Sequence, residues 1–382
     1  MLPSGTPYIE INLDSLVHNL NQVRKKLGAS NSIIAVVKDN AYGLGAPVIA
    51  QILEKEGVGF FAVACMDEAK ELREHSIHSP ILVLGACSQD DITWASSNEV
   101  HVTLNDLAQL NQMVDLDCKV KLHINVDTGM GRLGLIKSET DEALKIISSS
   151  GTIELEGIFT HFANADVPDT DKTSLQYEQF TDVLNSVREN GLSPRYIHCS
   201  NSAAICRFQI PDNFYVRPGI LLYGSRSDPT QIFDFDLLPI ASLKANIIKI
   251  KKVPAGTSIS YGGTYVAQEE TLIATVPIGY THGLPRALSN KGEVLIHGRR
   301  FPIAGKVTMD HIMVDIGSAS EIAVGDEVVA MGKQGNETIS PDDIALLSGT
   351  VSYEILTWLC NRIDRYYCRD DKIVCHEKNI YR

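Results

Sequence analysis

No two cysteines of this chain form a C-x-x-C pair, and the eight present (Cys65, Cys87, Cys118, Cys199, Cys206, Cys360, Cys368 and Cys375) are scattered along it. The scatter suggests neither a disulfide framework nor a zinc site, so free thiols that mostly fill core are expected and no metal. No apolar run reaches transmembrane length, and Met1 to Asn12 lacks the charged-then-apolar pattern of a secretory leader. A cytoplasmic protein with no membrane partner is predicted. Positive charge is also scarce: the net charge of −13 argues against nucleic acid as a partner. Any anionic ligand must therefore meet positive charge concentrated locally.

A dinucleotide fingerprint is missing too. The apolar run Ser32-Ile33-Ile34-Ala35-Val36-Val37 leads into Lys38 and then Asp39-Asn40-Ala41-Tyr42-Gly43-Leu44-Gly45, but no third glycine completes G-x-G-x-x-G. Asp14 is predicted to cap a helix whose Leu16, Leu20, Val23 and Leu27 recur at helical spacing. After the Lys38 strand, strand-like runs follow at 60–64, 81–85, 100–104, 120–126, 155–160, 196–200 and about 215–217. Helical patterns such as Asp67–Glu74 and Leu175–Asn190 separate them. Eight such units predict a closed (β/α)8 TIM-like barrel of the α/β class rather than an open doubly wound sheet.

Beyond residue 240 the texture changes to short alternating runs at 245–250, 271–277, 292–296, 311–316 and 326–331, broken by Gly and Pro. With helical pattern over 341–365 and strand character at Ile373-Val374, this reads as a mostly β second domain. The expected division is residues 1–240 and 241–382, consistent with a length that exceeds one ordinary hydrophobic core.

Barrel enzymes work at the C-terminal ends of their strands. Here those ends carry Lys38 and Tyr42, the segment Asn125 to Arg132, His161, His198 to Ser202, and Arg217-Pro218-Gly219-Ile220. Loops seven and eight form the usual phosphate site of the fold, and Asn201-Ser202 with Gly219-Ile220 fall there. A helix cap and a tight turn would account for the same residues, just as a solvated strand end would account for Lys38 alone. An amine facing a phosphate site across the barrel suggests pyridoxal 5'-phosphate held through its aldehyde.

Several segments resemble motifs of the bacterial alanine racemases, in the same order: Lys38 to Gly45, Val126 to Gly134, Thr160-His161-Phe162-Ala163, Asn201-Ser202-Ala203 and Val216-Arg217-Pro218-Gly219. Further matches are Ser260-Tyr261-Gly262, Gly279-Tyr280, Met309-Asp310 and Ser352-Tyr353-Glu354. The resemblance spans nearly the whole chain. It implies that Lys38 holds the cofactor and acts as base on one face of the substrate α-carbon, while Tyr261 from a partner subunit is the base on the other. A homodimer with shared sites is thus expected.

The resemblance further implies a chain of hydrogen bonds from Tyr261 through His161 to Arg217, which tunes a phenol whose ordinary pKa of about 10 makes it a poor base. Arg217 would meet the pyridine nitrogen and, being unable to give it a proton readily, leave the ring a weaker electron sink. Arg132 would contact the cofactor phenolic oxygen and the substrate carboxylate, and Met309 would help through its backbone. Tyr42, Asn201, Ser202, Gly219, Ile220 and Tyr353 would bind the cofactor, largely at its phosphate. Tyr280 and Asp310 of the partner, with Tyr353, would narrow the entrance. D-Alanine for peptidoglycan is the implied product.

Three positions depart from the family pattern. Asn125 stands where many members carry a carbamylated lysine, so no modified lysine is expected. Leu44 replaces a histidine, and His282 replaces an aspartate. The implied substrate is alanine, with serine close behind because a small pocket rejects one added hydroxyl only weakly. Basic amino-acid decarboxylases share the barrel, the lysine and the β domain, but their cysteine-aspartate-glycine segment is missing. A non-catalytic pyridoxal phosphate carrier would have little use for Tyr261 or a second domain.

Overall fold

A computed structural model describes residues 6–167, 171–228, 235–359 and 362–378. Seven cysteines are free in it, and Cys360 lies outside the described residues. Nine hydrogen-bonded segments form a parallel sheet that closes on itself. Its first strand is interrupted at Ile34, as Ser32–Ile33 and Ala35–Val36. The next seven are Phe61–Val63, Ile81–Val83, Val100–Leu104, Val120–Val126, Ile153–Thr160, Tyr196–Asn201 and Tyr215–Arg217.

Closure is visible in backbone bonds on both sides of the first strand. Ile34 and Val36 donate to the carbonyls of Val216 and Pro218, at 2.8 and 3.0 Å, while Ala35 and Val37 donate to Phe60 and Ala62, each at 2.9 Å. Strands this short suffice because both faces are covered, so Phe61, Ala62, Ile81, Leu82 and Leu104 are wholly buried. The eight-unit barrel read from periodicity is the observed architecture.

The first helix is Leu13–Leu27, and its cap differs from expectation. Asn12, not Asp14, holds the N-terminus: its Oδ1 accepts the N–H of Ser15 at 2.8 Å from an extended backbone. Asp14 already lies inside the first turn, where its charge suits the helix dipole, and its carboxylate instead accepts the N–H of Asp370.

The β region builds a sheet of eight strands centred on Glu327–Gln334, Ala241–Asn246, Tyr8–Asn12 and Asp364–Arg369, with a three-stranded sheet of Lys249–Val253, Thr271–Val276 and Ile312–Gly317 beside it. Tyr8–Asn12 thus leaves the barrel's stretch of sequence and pairs, antiparallel and parallel, with Ala241–Asn246 and Asp364–Arg369. The helical stretch after residue 340 resolves into Pro341–Ser348 and Ser352–Thr357, and then gives way to strand at Asp364.

The second region also braces the loop behind Lys38. Arg365 is buried and donates from Nε to the Gly43 carbonyl at 2.9 Å, and the Tyr367 hydroxyl donates to the Leu44 carbonyl at 3.1 Å. Leu44, the departure from the family's histidine, is wholly buried and contributes packing.

Candidate active site

A cavity of about 730 Å³ opens at the C-terminal mouth of the barrel. Of the residues singled out on sequence, it collects Lys38, Tyr42, Arg132, His161, Asn201, Ser202, Arg217, Gly219 and Tyr353. Lys38 enters it from a turn with an unusual backbone. Asp39, Asn40, Ala41 and Tyr42 all take left-handed dihedrals, with φ between 51° and 57°. Left-handed helical geometry costs about 1–2 kcal/mol per residue, so other contacts must impose it. Glu68 supplies one: its carboxylate accepts the N–H of Asn40 at 3.2 Å and that of Ala64 at 2.7 Å. Asn40 supplies another, its side-chain oxygen accepting the N–H of Ala46 at 2.7 Å.

The turn delivers Tyr42 to the opposite wall. A Cβ on Gly219 would lie 2.4 Å from the Tyr42 hydroxyl, so only glycine fits there. The Gly219 N–H donates to Ser202 Oγ at 3.1 Å, and Asn201 caps the short helix Ser202–Arg207 through the N–H of Ala204 at 3.0 Å. Tyr42 and Tyr353 face each other at 5.7 Å, and burial pushes both phenols well above their ordinary pKa. Both are therefore neutral hydroxyls that can donate. The side chain of Ile220 is wholly buried outside the cavity lining, so only its main chain could serve.

Arg217 occupies the floor. It is buried, yet its described partners are all neutral acceptors: the Thr160 carbonyl at 2.9 Å, the Cys199 carbonyl at 3.3 Å, His198 Nδ1 at 2.8 Å and His161 Nδ1 at 3.3 Å. Burial lowers its pKa to about 10, which leaves it cationic at neutral pH. Burial, and then the charges of Arg217, Arg132 and Lys38, take His161 down to about 3. His161 is thus a neutral imidazole that accepts at Nδ1 and carries its hydrogen on Nε2.

Arg132 stands on the loop after the fifth strand, which Asp127 organises by accepting the N–H groups of Gly129 and Gly131, at 2.9 and 3.1 Å. Asn125 lies beneath that loop and donates to Asn105 Oδ1 at 2.8 Å.

Tyr261, Tyr280, Met309 and Asp310 do not line this cavity. They lie on the second region. Tyr261 is 72% exposed on a 3-10 turn, Met309 is 53% exposed, and the Tyr280 N–H donates to the Thr308 carbonyl at 3.1 Å. Asp310 accepts the Thr281 hydroxyl at 3.1 Å. His282 accepts the Gly279 N–H at 3.1 Å and so shapes the same loop.

Three contributors escaped the sequence reading. Gln176 ties together the loops of strands five and six by donating to Thr128 Oγ1 at 3.2 Å and the His161 carbonyl at 3.1 Å, and by accepting the Ala163 N–H at 2.9 Å. Glu68, on the helix Met66–Glu74, gave no signal beyond an ordinary helix charge. His198, on sequence only one of the strand-end residues and without a role, is the closest side-chain partner of Arg217.

Residues 11–227 match the family model described as alanine racemase, N-terminal domain, and residues 240–367 the one described as alanine racemase, C-terminal domain. The chain is 41% identical to an alanine racemase of Halothermothrix orenii over 94% of its own length and 96% of that protein. It is 40% identical to alanine racemase 2 of Bacillus subtilis over 96% of its length and 95% of that protein. Among solved structures, the alanine racemase of Bacillus anthracis with bound L-Ala-P superposes with a TM-score of 0.90 at 37% identity, covering 100% of both chains. That of Clostridium difficile in complex with cycloserine gives 0.89 at 34% identity, covering 99% of this chain and 100% of that one. With both domain models matched in order and such relatives spanning nearly its full length, the chain belongs to the alanine racemase family.

Proposed function

We propose that this chain interconverts L-alanine and D-alanine in a homodimer with shared sites, using pyridoxal 5'-phosphate, and supplies D-alanine for peptidoglycan. The barrel cavity carries this reading. The residues present fit the cofactor: Gly219 leaves a space that a Cβ would fill, the Tyr42, Ser202 and Tyr353 hydroxyls and Asn201 ring that space, and Lys38 and Arg217 line the same cavity. The first group would hold the phosphate, with the Ile220 main chain, while Lys38 would hold the aldehyde and Arg217 would face the ring nitrogen. When bound, the cofactor supplies an electron sink for the substrate α-carbon.

The chain's own residues then have separable tasks. Arg132 is exposed at the rim and holds the substrate carboxylate, which orients the Cα–H toward one base or the other. Lys38 Nζ takes or gives the proton on one face. The partner's Tyr261 takes or gives it on the other, because within one chain Tyr261 lies outside the cavity of Lys38. His161 accepts from Arg217 at Nδ1, so its Nε2–H is free to donate to the oxygen of the partner's Tyr261 and to favour the phenolate. The exposed loop of Tyr280, Met309 and Asp310, on the second domain assigned to residues 241–382, would reach the partner's entrance and restrict it to a small amino acid.

Incubating the holoenzyme with L-alanine, L-serine, L-lysine and L-ornithine, and measuring both D-isomer and carbon dioxide, tests the reading. D-Alanine formation is expected to be fastest, with D-serine second. Carbon dioxide from lysine or ornithine without D-isomer would overturn it in favour of a decarboxylase.

A further inference from the structure

Below the cavity, Arg217 begins a row of three buried imidazoles that runs through the inside of the barrel. Arg217 Nη1 lies 2.8 Å from His198 Nδ1, His198 Nε2 lies 3.1 Å from His123 Nδ1, and His123 Nε2 lies 3.0 Å from His101 Nδ1. Arg217 ends the eighth strand at the active mouth, and His101 is the second residue of the fourth strand at the opposite end. The row therefore spans the barrel.

Its direction follows from Arg217. A guanidinium has only donors, so His198 must accept at Nδ1. A neutral His198 then carries its hydrogen on Nε2 and donates to His123, which by the same step donates to His101. Burial holds His198 and His123 well below the ordinary histidine range and takes His101 to about 4. The charges acting on His101 are Lys121, Glu99, Arg73 and Arg195. Those on His123 are His101 and Arg217, and those on His198 are Arg217 and His123. A proton on any ring would set two N–H groups against each other.

Ordinary satisfied core histidines would need no common direction and no space made for them. Here the backbone makes that space: a Cβ on Gly157 would lie 2.2 Å from His123 Nδ1. Phe60 and Tyr196 pack around His101 and His123 at centroid distances of 5.2 to 5.8 Å, which removes water. The row starts from a buried guanidinium with no described carboxylate partner, and aligned hydrogen bonds polarise one another in such surroundings.

We propose that His123 and His101 are positioning residues: acting through His198, they form a one-directional hydrogen-bond chain that fixes the orientation and donor pattern of Arg217 where it faces the cofactor ring. The role rests on the cofactor reading given above. Removing the last acceptor would free the His123 Nε2–H and let both inner rings reverse their tautomers. An N–H on His198 Nδ1 would then face Arg217 and displace it.

The test combines the side-chain 15N NMR of histidine-labelled holoenzyme with kinetics and cofactor absorption in two variants. H101Q keeps an acceptor for the His123 N–H, whereas H101L removes it. In the wild type all three rings, and in H101Q the two that remain, are expected as neutral Nε2–H tautomers between about pH 6 and 8. In H101L that pattern is lost, the cofactor band shifts, and kcat falls about tenfold with KM nearly unchanged. H101M replaces H101L if the latter does not fold. An Nδ1–H tautomer on His198 or His123 in the wild type overturns the chain. The expected tautomers with unchanged kcat and absorption in the apolar variant overturn the positioning role. Intact tautomers in a wild type that racemises nothing overturn the functional reading and, with it, this role.

Discussion

The two bases proposed for this enzyme stand in opposite surroundings. Lys38 ends a strand of a closed barrel, in a cavity whose floor is a buried arginine and whose loops are tied by Glu68, Asn40 and Gln176. Tyr261 is largely exposed on a turn of the second domain, with Ser260 and Gly262 beside it at positive φ. The barrel side is thus organised before anything binds, whereas the tyrosine side, in the proposed dimer, would gain its surroundings only from another subunit. Pre-organisation where charge develops is the larger source of catalytic power, so the barrel should carry the steep effects and the exposed loop the gentle ones, with Tyr261 the exception expected of a site shared between subunits.

That exception gives the largest expected effect. Lys38→Ala and Tyr261→Phe should each lower kcat by about a thousandfold or more, as loss of a positioned acid or base does. Mixing the two with subunit exchange should restore about a quarter of wild-type activity, since half the dimers are mixed and each holds one intact site of two. No recovery, with exchange proven by mass spectrometry, would place both bases in one chain and erase the contrast.

Acid should separate the two regions next. His161 and His101 have folded-state values of about 3 and 4, below the unfolded value, and His123 and His198 are lowered too. The unfolded chain therefore binds more protons below about pH 6.5, so the stability these rings contribute is full above that pH and is lost as pH falls toward the folded values. At pH 5 the His161 and His101 rings each cost about 2 kcal/mol, and His123 and His198 act in the same direction. All four lie in the barrel. Calorimetry between pH 7.5 and 5 should show the barrel's transition falling furthest, and an acid-insensitive barrel would mean the rings are not buried and neutral.

Much of this was legible in the chain because the relevant signals are local. Lys38 and Arg217 each stand at the end of an apolar strand, Tyr42 follows Lys38 in the adjoining turn, and eight such strands announce a barrel. What stayed hidden needed partners far apart in sequence. Tyr8–Asn12 is a short mixed segment that becomes a strand only by pairing with residues some 230 and some 350 positions later. His101, His123 and His198 sit on three different strands, so each alone looks like core. Their row exists only through the curvature that brings those strands' inner faces together. Asp14 was chosen as a cap by residue type, while the backbone placed Asn12 at the boundary.

A third test probes the barrel wall directly. Gly219→Ala puts a Cβ 2.4 Å from the Tyr42 hydroxyl, and the left-handed turn that carries Tyr42 has little freedom to move. Overpacking of this kind costs about 1–3 kcal/mol, so the affinity for pyridoxal phosphate, followed by absorbance titration of the apoenzyme, should weaken about tenfold or more. Unchanged affinity would show that the phosphate does not lie against Gly219.

The smallest effect is expected at the exposed entrance. His282 stands where the family pattern has aspartate, and its Nδ1 accepts the Gly279 N–H at 3.1 Å. A carboxylate oxygen can accept the same N–H, so His282→Asp preserves the loop that carries Tyr280 and its contact with Thr308. Burial already lowers the His282 pKa, so the ring is neutral at working pH and the substitution adds one negative charge near Asp310. Because the loop is solvated and gathers its shape from short backbone turns, screening blunts that charge, and kcat/KM for alanine should stay within about threefold. A change above about tenfold would be out of scale for a screened surface charge. It would mean that the partner's closure buries His282, and that the entrance is as rigidly organised in the dimer as the barrel is in each subunit.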